Sequence, residues 1–331
     1  MPAPQYDVIA IGNAIVDVMA PCSDELIEQL GLNRGGMMLV DAEQADALYA
    51  AMGPAREISG GSAANTLAGL AAMGARCAFV GQVADDQLGE VFAHDIRVAG
   101  IAFDTPARPG EPPTARCLIF VTPDGQRTMN TFLGASQFLP AERIDEEAIA
   151  AAKILYLEGY LWDPEEPRAA MRRAIESARR AGCKVAFTLS DSFVIARHGD
   201  DFRALIEDGL IDILFANEAE LAALTGQAQL EAGCDALSGK VPLLVVTRSE
   251  KGAVACFEGA THRCAAEPVE KVVDTTGAGD LFAAGFLHGH AAGEPIDRCL
   301  RRGAIAAAEI ISHYGARSEA DLPALMARKL G

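Results

Sequence analysis

The segment Asp274-Thr-Thr-Gly-Ala-Gly-Asp280 places a carboxylate directly behind a Gly-Ala-Gly turn, and an apolar run follows it. Val272 and Val273 before it read as β structure and the run after it as helix, so the turn stands at a helix N-terminus. The first N–H groups of a helix lack intrahelical partners and carry a positive partial charge. Glycines let a ligand reach them with no Cβ in the way. Gly277, Ala278 and Gly279 therefore read as a site for an anion such as a phosphoryl group. Asp280 would repel that anion unless it has its own task. A carboxylate there can take the proton from a hydroxyl that attacks the phosphoryl group. Asp280 would also favour the first turn of its helix with no ligand present, by roughly 0.3–1 kcal/mol.

Three other clusters have a similar character. Asn13 and Asp17, in Gly-Asn-Ala-Ile-Val-Asp, follow the first apolar strand, where open α/β sheets bind ligands. An amide and a carboxylate together can hold two vicinal hydroxyls, although loop polars that satisfy the backbone have the same look. Gly60 and Gly61 permit close backbone approach, and Asn65 lies one turn into the next helix, with Ser62 either at the site or acting as the helix cap. Asn217 and Glu220 follow the run Ile-Asp-Ile-Leu-Phe-Ala. A carboxylate one turn from an amide can act on a hydrated magnesium ion, and the same pair also suits a solvated helix start.

These groups need a frame. Strands are expected at 6–12, 37–40, 77–80, 154–157, 184–189, 211–216, 243–247 and 252–256. Helices are expected at 41–52 behind the capping box Asp41-Ala-Glu-Gln44, then at 63–73, 86–99, 165–181, 199–207, 218–224, after Asp280, and near 300–311. Residues 116–122 and 127–133 flank Pro123-Asp124-Gly125 and read as a hairpin. The alternation implies an α/β fold, a three-layer doubly wound and mostly parallel sheet in one domain spanning 1–331. A small β lid is expected from segments at about 13–18, 34–41 and 103–134.

Composition excludes several classes. The 331 residues are 50% apolar and 22% charged, an ordinary globular balance, with a net charge of −18. That charge argues against nucleic acid and anionic membranes as partners. There is no apolar run near 20 residues and no signal-peptide pattern, so a cytoplasmic location is expected. The eight cysteines are scattered and read as reduced thiols, and the six histidines show no metal-ligand spacing. G-x-G-x-x-G is absent after the first strand, which disfavours a dinucleotide oxidoreductase.

Taken in order, GNAIVD, GGSAAN, VGQVADDQLG, Asn217-x-x-Glu220 and DTTGAGDLFAAGF resemble the motifs of the ribokinase-like (PfkB) carbohydrate and nucleoside kinases, over about residues 6–325. Ser62 after the paired glycines and the strand RTMNTFLGAS are most similar to the adenosine-kinase-like branch. The resemblance implies transfer of the ATP γ-phosphate to the 5′-hydroxyl of adenosine by a monomer or homodimer. The same chemistry on another nucleoside or a free sugar, and a non-catalytic nucleoside sensor, are the alternatives. It further implies Asp280 as base, with Gly277, Ala278 and Gly279 as anion hole and Arg127 on the transferring phosphate. Asn13, Asp17, Gly60, Gly61, Ser62 and Asn65 would hold the sugar. Leu39, Met129, Thr131 and Leu133 would line the base pocket. Ser190, Asn217, Thr247, Gly252 and Thr276 would border ATP, Asn217 and Glu220 would order Mg2+ through water, and Asp274 with Thr276 would take a monovalent cation such as K+. The chain departs from the family pattern at Ser249, where a glycine is usual, and at Ser190-Asp191, where sugar kinases often have Asp-Pro-Asn.

Overall fold

Unbroken apolar runs such as Val8–Ile11 and Leu243–Val246 contain no polar residue to present to water, so they require cover on both faces. A computed structural model of the chain, describing residues 4–331, provides it. In chain order the elements are β1 (Tyr6–Ile11), β2 (Ile15–Pro21), α1 (Asp24–Gln29), β3 (Met37–Leu39), α2 (Ala42–Ala51), β4 (Arg56–Gly60) and α3 (Ser62–Ala72). Next come β5 (Cys77–Val80), α4 (Gln87–Val98), β6 (Ile101–Ala102), β7 (Ala115–Val121), β8 (Arg127–Phe132), α5 (Glu146–Ala150), β9 (Ala152–Glu158) and α6 (Glu165–Ala181). Then follow β10 (Lys184–Thr188), α7 (Ser192–Glu207), β11 (Ile213–Asn217), α8 (Glu218–Thr225), α9 (Leu230–Leu237) and β12 (Leu243–Thr247). The chain finishes with β13 (Ala253–Phe257), β14 (Ala260–Cys264), α10 (Ala278–Ala291), α11 (Ile296–Ile310) and α12 (Leu322–Leu330).

Nine strands form the large sheet in the order β14-β13-β12-β11-β10-β9-β1-β5-β6, parallel except for the antiparallel edge β13 and β14. Side chains alternate across it. Val8, Ala10, Ile154 and Tyr156 face one buried cluster with α3, α10 and α11, while Ile9, Ile11, Leu155 and Leu157 face another with α6 and α7. This is the expected three-layer α/β architecture. Strand order turns back at β1, between β9 and β5, and the loops at the strand ends nearby carry Asn13 and the Glu158 terminus. Among the described residues, no helix is long and apolar enough to cross a membrane.

The second, smaller sheet, β3-β8-β7-β2-β4, stands where the lid is expected. It differs from the expectation in two ways. The segment placed at 13–18 runs on as β2 to Pro21, and a further strand, β4, joins the sheet. In β2, Asp17 interrupts the apolar pattern, so the stretch read as a loop. β4 (Arg-Glu-Ile-Ser-Gly) has a single large apolar residue, and its order comes from pairing with β2. The helix expected at 199–207 starts earlier, at Ser192, because the Asp191 side chain accepts the Val194 N–H and caps it. The strands expected at 211–216 and 252–256 lie at Ile213–Asn217 and Ala253–Phe257.

Candidate active site

The Gly-Ala-Gly turn opens α10. Gly277 is its N-cap in the left-handed region at φ 76°, and a Cβ there would stand 2.9 Å from Ala316 Cβ, so glycine is required on both grounds. The first N–H groups of α10 have no helical carbonyl behind them. They border a cavity of about 370 Å3 that is also lined by Ser62, Tyr160, Ser190, Asn217, Glu220 and Asp280. Ser190 holds φ 70° beside it, a conformation that costs a non-glycine residue energy and that functional loops tolerate.

Asp280 stands where the cavity meets the N-terminus of α3. Ser62 Oγ donates to Asp280 Oδ1 at 2.6 Å and Asn65 Nδ2 to Oδ2 at 3.2 Å. Ser62 therefore does not cap α3, and no side chain does: Gly61 is the N-cap. Burial pushes the Asp280 pKa up to about 6, while the bonds from Ser62 and Asn65 and the charge of Arg317 pull it down. A carboxylate with that pKa is ionised near neutral pH yet basic enough to take a proton.

Asn13 is fixed by a residue that the sequence reading did not single out. Glu158, fully buried at the end of β9, accepts Asn13 N at 2.7 Å and Asn13 Nδ2 at 2.8 Å on one oxygen. Its other oxygen accepts Ala63 N at 2.7 Å. Burial pushes the Glu158 pKa up to about 7 and the N–H donors of Asn13 and Ala63 pull it down. Ser136 Oγ donates to Asn13 Oδ1 at 2.8 Å. A glutamate at the C-terminal end of a buried strand was a usable signal.

The strand registers bring Asp17 and the base-pocket candidates onto one face of the lid. Ile58, Asp17, Cys117, Thr131 and Leu39 are successive partners across β4, β2, β7, β8 and β3. Arg56, Met19, Ile119, Met129 and Met37 form the next row. Thr131 Oγ1 lies 3.3 Å from Cys117 Sγ, and Arg127, two residues before Met129 in β8, reaches across to Asp274, so this face looks onto the Asp280 loop. Leu133 follows β8 directly at the edge of the lid. Met37 and Leu39 are 47% and 57% exposed, so this apolar face is partly bare. Cys117, Ile119 and Ile58 escaped the sequence reading because the β2–β7 and β2–β4 pairings are long-range. Burial pushes the Asp17 pKa up to about 6, against the charges of Arg317 and Arg127, and Asp280 pushes it higher.

Arg127 Nη1 pairs with Asp274 Oδ2 at 2.9 Å, and both side chains are more than nine-tenths buried. Only Nη1 is engaged by Asp274, and Nε of Arg127 is buried without a partner among the described residues. Asp274 Oδ2 also accepts Gly315 N at 3.0 Å, and its Oδ1 accepts Thr276 N at 3.0 Å and Oγ1 at 2.7 Å. Four donors occupy the carboxylate, so its side chain does not fit a monovalent cation. Asn217 and Glu220 form a reciprocal capping box on α8, with Asn217 Nδ2 on Glu220 Oε1 at 2.7 Å and Glu220 N on Asn217 Oδ1 at 2.8 Å. Glu220 is buried rather than solvated, and burial pushes its pKa up to about 7. Each of its oxygens receives one bond, which leaves acceptor capacity for metal-bound water, so this pair fits a hydrated magnesium ion.

A second cavity of about 670 Å3 meets the first along Asn217, Thr247, Ala278 and Gly279. Gly252 and Ser249 border it, and Val269, Val272, Ala304, Ala307 and Ile311 make it apolar. Ala304, Ala307, Ala308 and Ile311, in and just after α11, therefore face a slot suited to a flat heterocycle. Ser249 keeps the left-handed backbone at φ 51° that the family's glycine would adopt freely.

Comparison with known proteins agrees with this geometry. Adenosine kinase from Sinorhizobium meliloti superposes with a TM-score of 0.91 at 46% identity, covering 99% of this chain and 100% of that one. A probable sugar kinase from Rhizobium etli CFN 42 gives 0.91 at 41% identity, with 98% of each chain covered. Guanosine-inosine kinase of Escherichia coli K12 is 29% identical over 265 residues, which are 74% of this chain, and the match spans 58% of that relative's length. Residues 40–323 match the profile of the pfkB family carbohydrate kinases. The chain belongs to that family, whose members are phosphotransferases with an alcohol group as acceptor.

Proposed function

We propose that the protein transfers the γ-phosphoryl group of ATP to the 5′-hydroxyl of adenosine, giving AMP and ADP. The observation that carries the nucleoside reading is the face of the lid. Above the sugar-binding groups Asp17 and Asn65 it presents Ile58, Met19, Ile119, Met129, Met37 and Leu39, with Thr131 and Cys117 as polar points. A free sugar would leave the bare part of this surface, Met37 and Leu39 above all, against water. A purine would cover it, at about 25 cal/mol per Å2 of apolar area removed from solvent.

In this reading Asp17, Asn13, Gly61 and Asn65 hold the ribose hydroxyls. Asp280 accepts the proton of the 5′-hydroxyl as its oxygen bonds to the γ-phosphorus and the bond to the β-phosphate oxygen breaks. The N–H groups of Gly277, Ala278 and Gly279 hold the γ-phosphoryl oxygens in place. Thr247, Gly252 and Ser190 border the nucleotide, whose base enters the slot beside Ala304 and Ala307. Asn217 and Glu220 would hold magnesium through its waters, and that ion supplies neutralisation of phosphate charge. The net charge of −18 is met locally by a helix terminus and backbone N–H groups instead of a basic surface.

The test is initial-rate ADP production from ATP and magnesium with adenosine, guanosine, inosine, cytidine, ribose or fructose as acceptor, with and without potassium. Adenosine should give a kcat/KM at least tenfold above any free sugar. A sugar preferred over every nucleoside, or no acceptor-dependent turnover, overturns the proposal.

A further inference from the structure

Arg317 lies in the segment between α11 and α12, far along the chain from the groups it approaches. Its Nη2 donates to Ser59 O at 2.6 Å and to Ser59 Oγ at 3.0 Å, and its Nη1 donates to Ala64 O at 3.1 Å. These acceptors stand at the two ends of the turn Gly60-Gly61-Ser62, where the chain leaves lid strand β4 and enters α3. The same turn delivers Ser62 and Asn65 to Asp280. Ser59 is held from its other side by Asp95 Oδ2, which accepts its N–H at 3.0 Å. The residues just before Arg317 are tied to the signature loop. Gly315 N donates to Asp274 and Ala316 packs against Gly277.

The charge of Arg317 matters as much as its bonds. Asp17 and Asp280 share one cleft and repel each other, and the Arg317 guanidinium acts on both. Among the described residues, neither carboxylate forms an ion pair with it within 4.0 Å. A direct pair would occupy the oxygens that must meet hydroxyls. A guanidinium engaged with carbonyls supplies the field and leaves those oxygens open. We propose that Arg317 is the positioning residue that fixes the Ser59–Ala64 turn against Asp280 and counters the combined charge of Asp17 and Asp280 without engaging either carboxylate. The other ionisable groups facing this pair are Arg127 and Cys117 near Asp17, Glu158, Tyr156 and Tyr160 near Asp280, and Asp95 near Arg317. Nothing in the sequence marked Arg317, because its partners are brought to it by the tertiary fold.

This inference rests on Asp280 as base and Asp17 as sugar ligand, and the experiment keeps the two questions apart. Carbon-13 signals of the aspartate carboxyl groups are titrated without substrate in the full-length protein, with Asp17→Asn and Asp280→Asn used for assignment. The pH profile of kcat/KM and the acceptor KM are measured in parallel. Arg317→Met should move both carboxyl midpoints and the acid limb upward by about one pH unit or more, and raise acceptor KM about tenfold. Arg317→Lys keeps the charge but has no planar fork to span Ser59 and Ala64, so its midpoints stay near wild type while acceptor KM still rises. Wild-type midpoints in Arg317→Met overturn the charge role. Should that variant not fold, Arg317→Lys decides: wild-type KM removes the bracing role, and an upward-shifted acid limb removes the charge role. Failure of the wild-type protein to turn over any acceptor would sink the parent reading, while the substrate-free titration would still judge Arg317.

Discussion

Asp280→Asn should abolish turnover and make the protein more stable. The shape is conserved, and the hydrogen bonds can be re-formed. Ser62 Oγ still finds an oxygen, and the new amide meets Asn65, whose Oδ1 is buried without a partner among the described residues and can be turned toward it. The gain comes from removing a disfavoured charge. Burial holds the Asp280 pKa at about 6 in place of 3.8. That difference amounts to about 3 kcal/mol against the ionised form. The residue is only half-buried, open to the cavity, so water screening reduces this to about 1–2 kcal/mol. The pH dependence follows from the direction of the shift. The folded chain binds this proton more tightly than the unfolded chain, so the wild-type protein loses stability as pH rises from about 4 to about 6 and is level above. The variant carries no such loss. The stability gap should be near zero at pH 3.5, open through this window and stay constant at pH 7.5. Urea melts at these two pH values, with ADP release at saturating acceptor, form the assay. Turnover should fall about a hundred- to ten-thousandfold. A variant that keeps turnover within threefold, or that is less stable than wild type at pH 7.5, would refute the assignment of a strained base.

Three other substitutions probe neighbouring links. Glu158→Gln turns an N–H toward a backbone or amide N–H and strands a donor at about 1–3 kcal/mol, partly offset by removing a charge that burial disfavours, so stability should still fall and acceptor KM should rise. Urea melts check it, and a loss under 0.5 kcal/mol would show that Glu158 is not what fixes Asn13. Met129→Glu puts a charge on the lid face, so acceptor KM should rise at least tenfold with the KM for ATP unchanged; equal effects on both would move the base pocket elsewhere. Ser249→Gly relieves a left-handed residue at roughly 1–2 kcal/mol but adds roughly 0.5–1 kcal/mol of unfolded-chain entropy, a net stabilisation of about 0.5 kcal/mol; a lower Tm would contradict it.

The legible part of this molecule was the local part. The βα alternation, the Asp41–Gln44 capping box and the Gly-Ala-Gly helix start follow from spacing within a few residues, and each is present. Asp17 and Thr131 were placed near the acceptor by resemblance, but their membership of one transverse row depends on β2 pairing with β7, a contact between distant segments. The same limit hid Arg317. Ser62 was left between two roles, site residue and helix cap. A serine before a helix is usually its cap, and here the hydroxyl turns to Asp280 because Gly61 already provides the backbone entry. Arg127 was expected on the phosphate by resemblance, and its pairing with the distant Asp274 carboxylate was not legible in the sequence.

The path of the chain between the two sheets bears on product release. It crosses at four places: residues 12–14, Gly61, residues 103–114 and residues 133–134. Asn13 belongs to the first crossing and is bonded to Ser136, just beyond the fourth, while Ala135 N bonds to Pro113 O at 2.8 Å and so joins the fourth to the third. The groups read as the grip on the acceptor are thus the hinge itself. A lid that swings on these threads must displace Asn13 and Gly61 as it opens, so opening and letting go become one event. Amide exchange at residues 12–14 and 59–61 should accordingly slow together when acceptor binds. If the acceptor binds as proposed, the protein would need no separate signal to expel its product, because the motion that admits water would also dissolve the hold on the sugar.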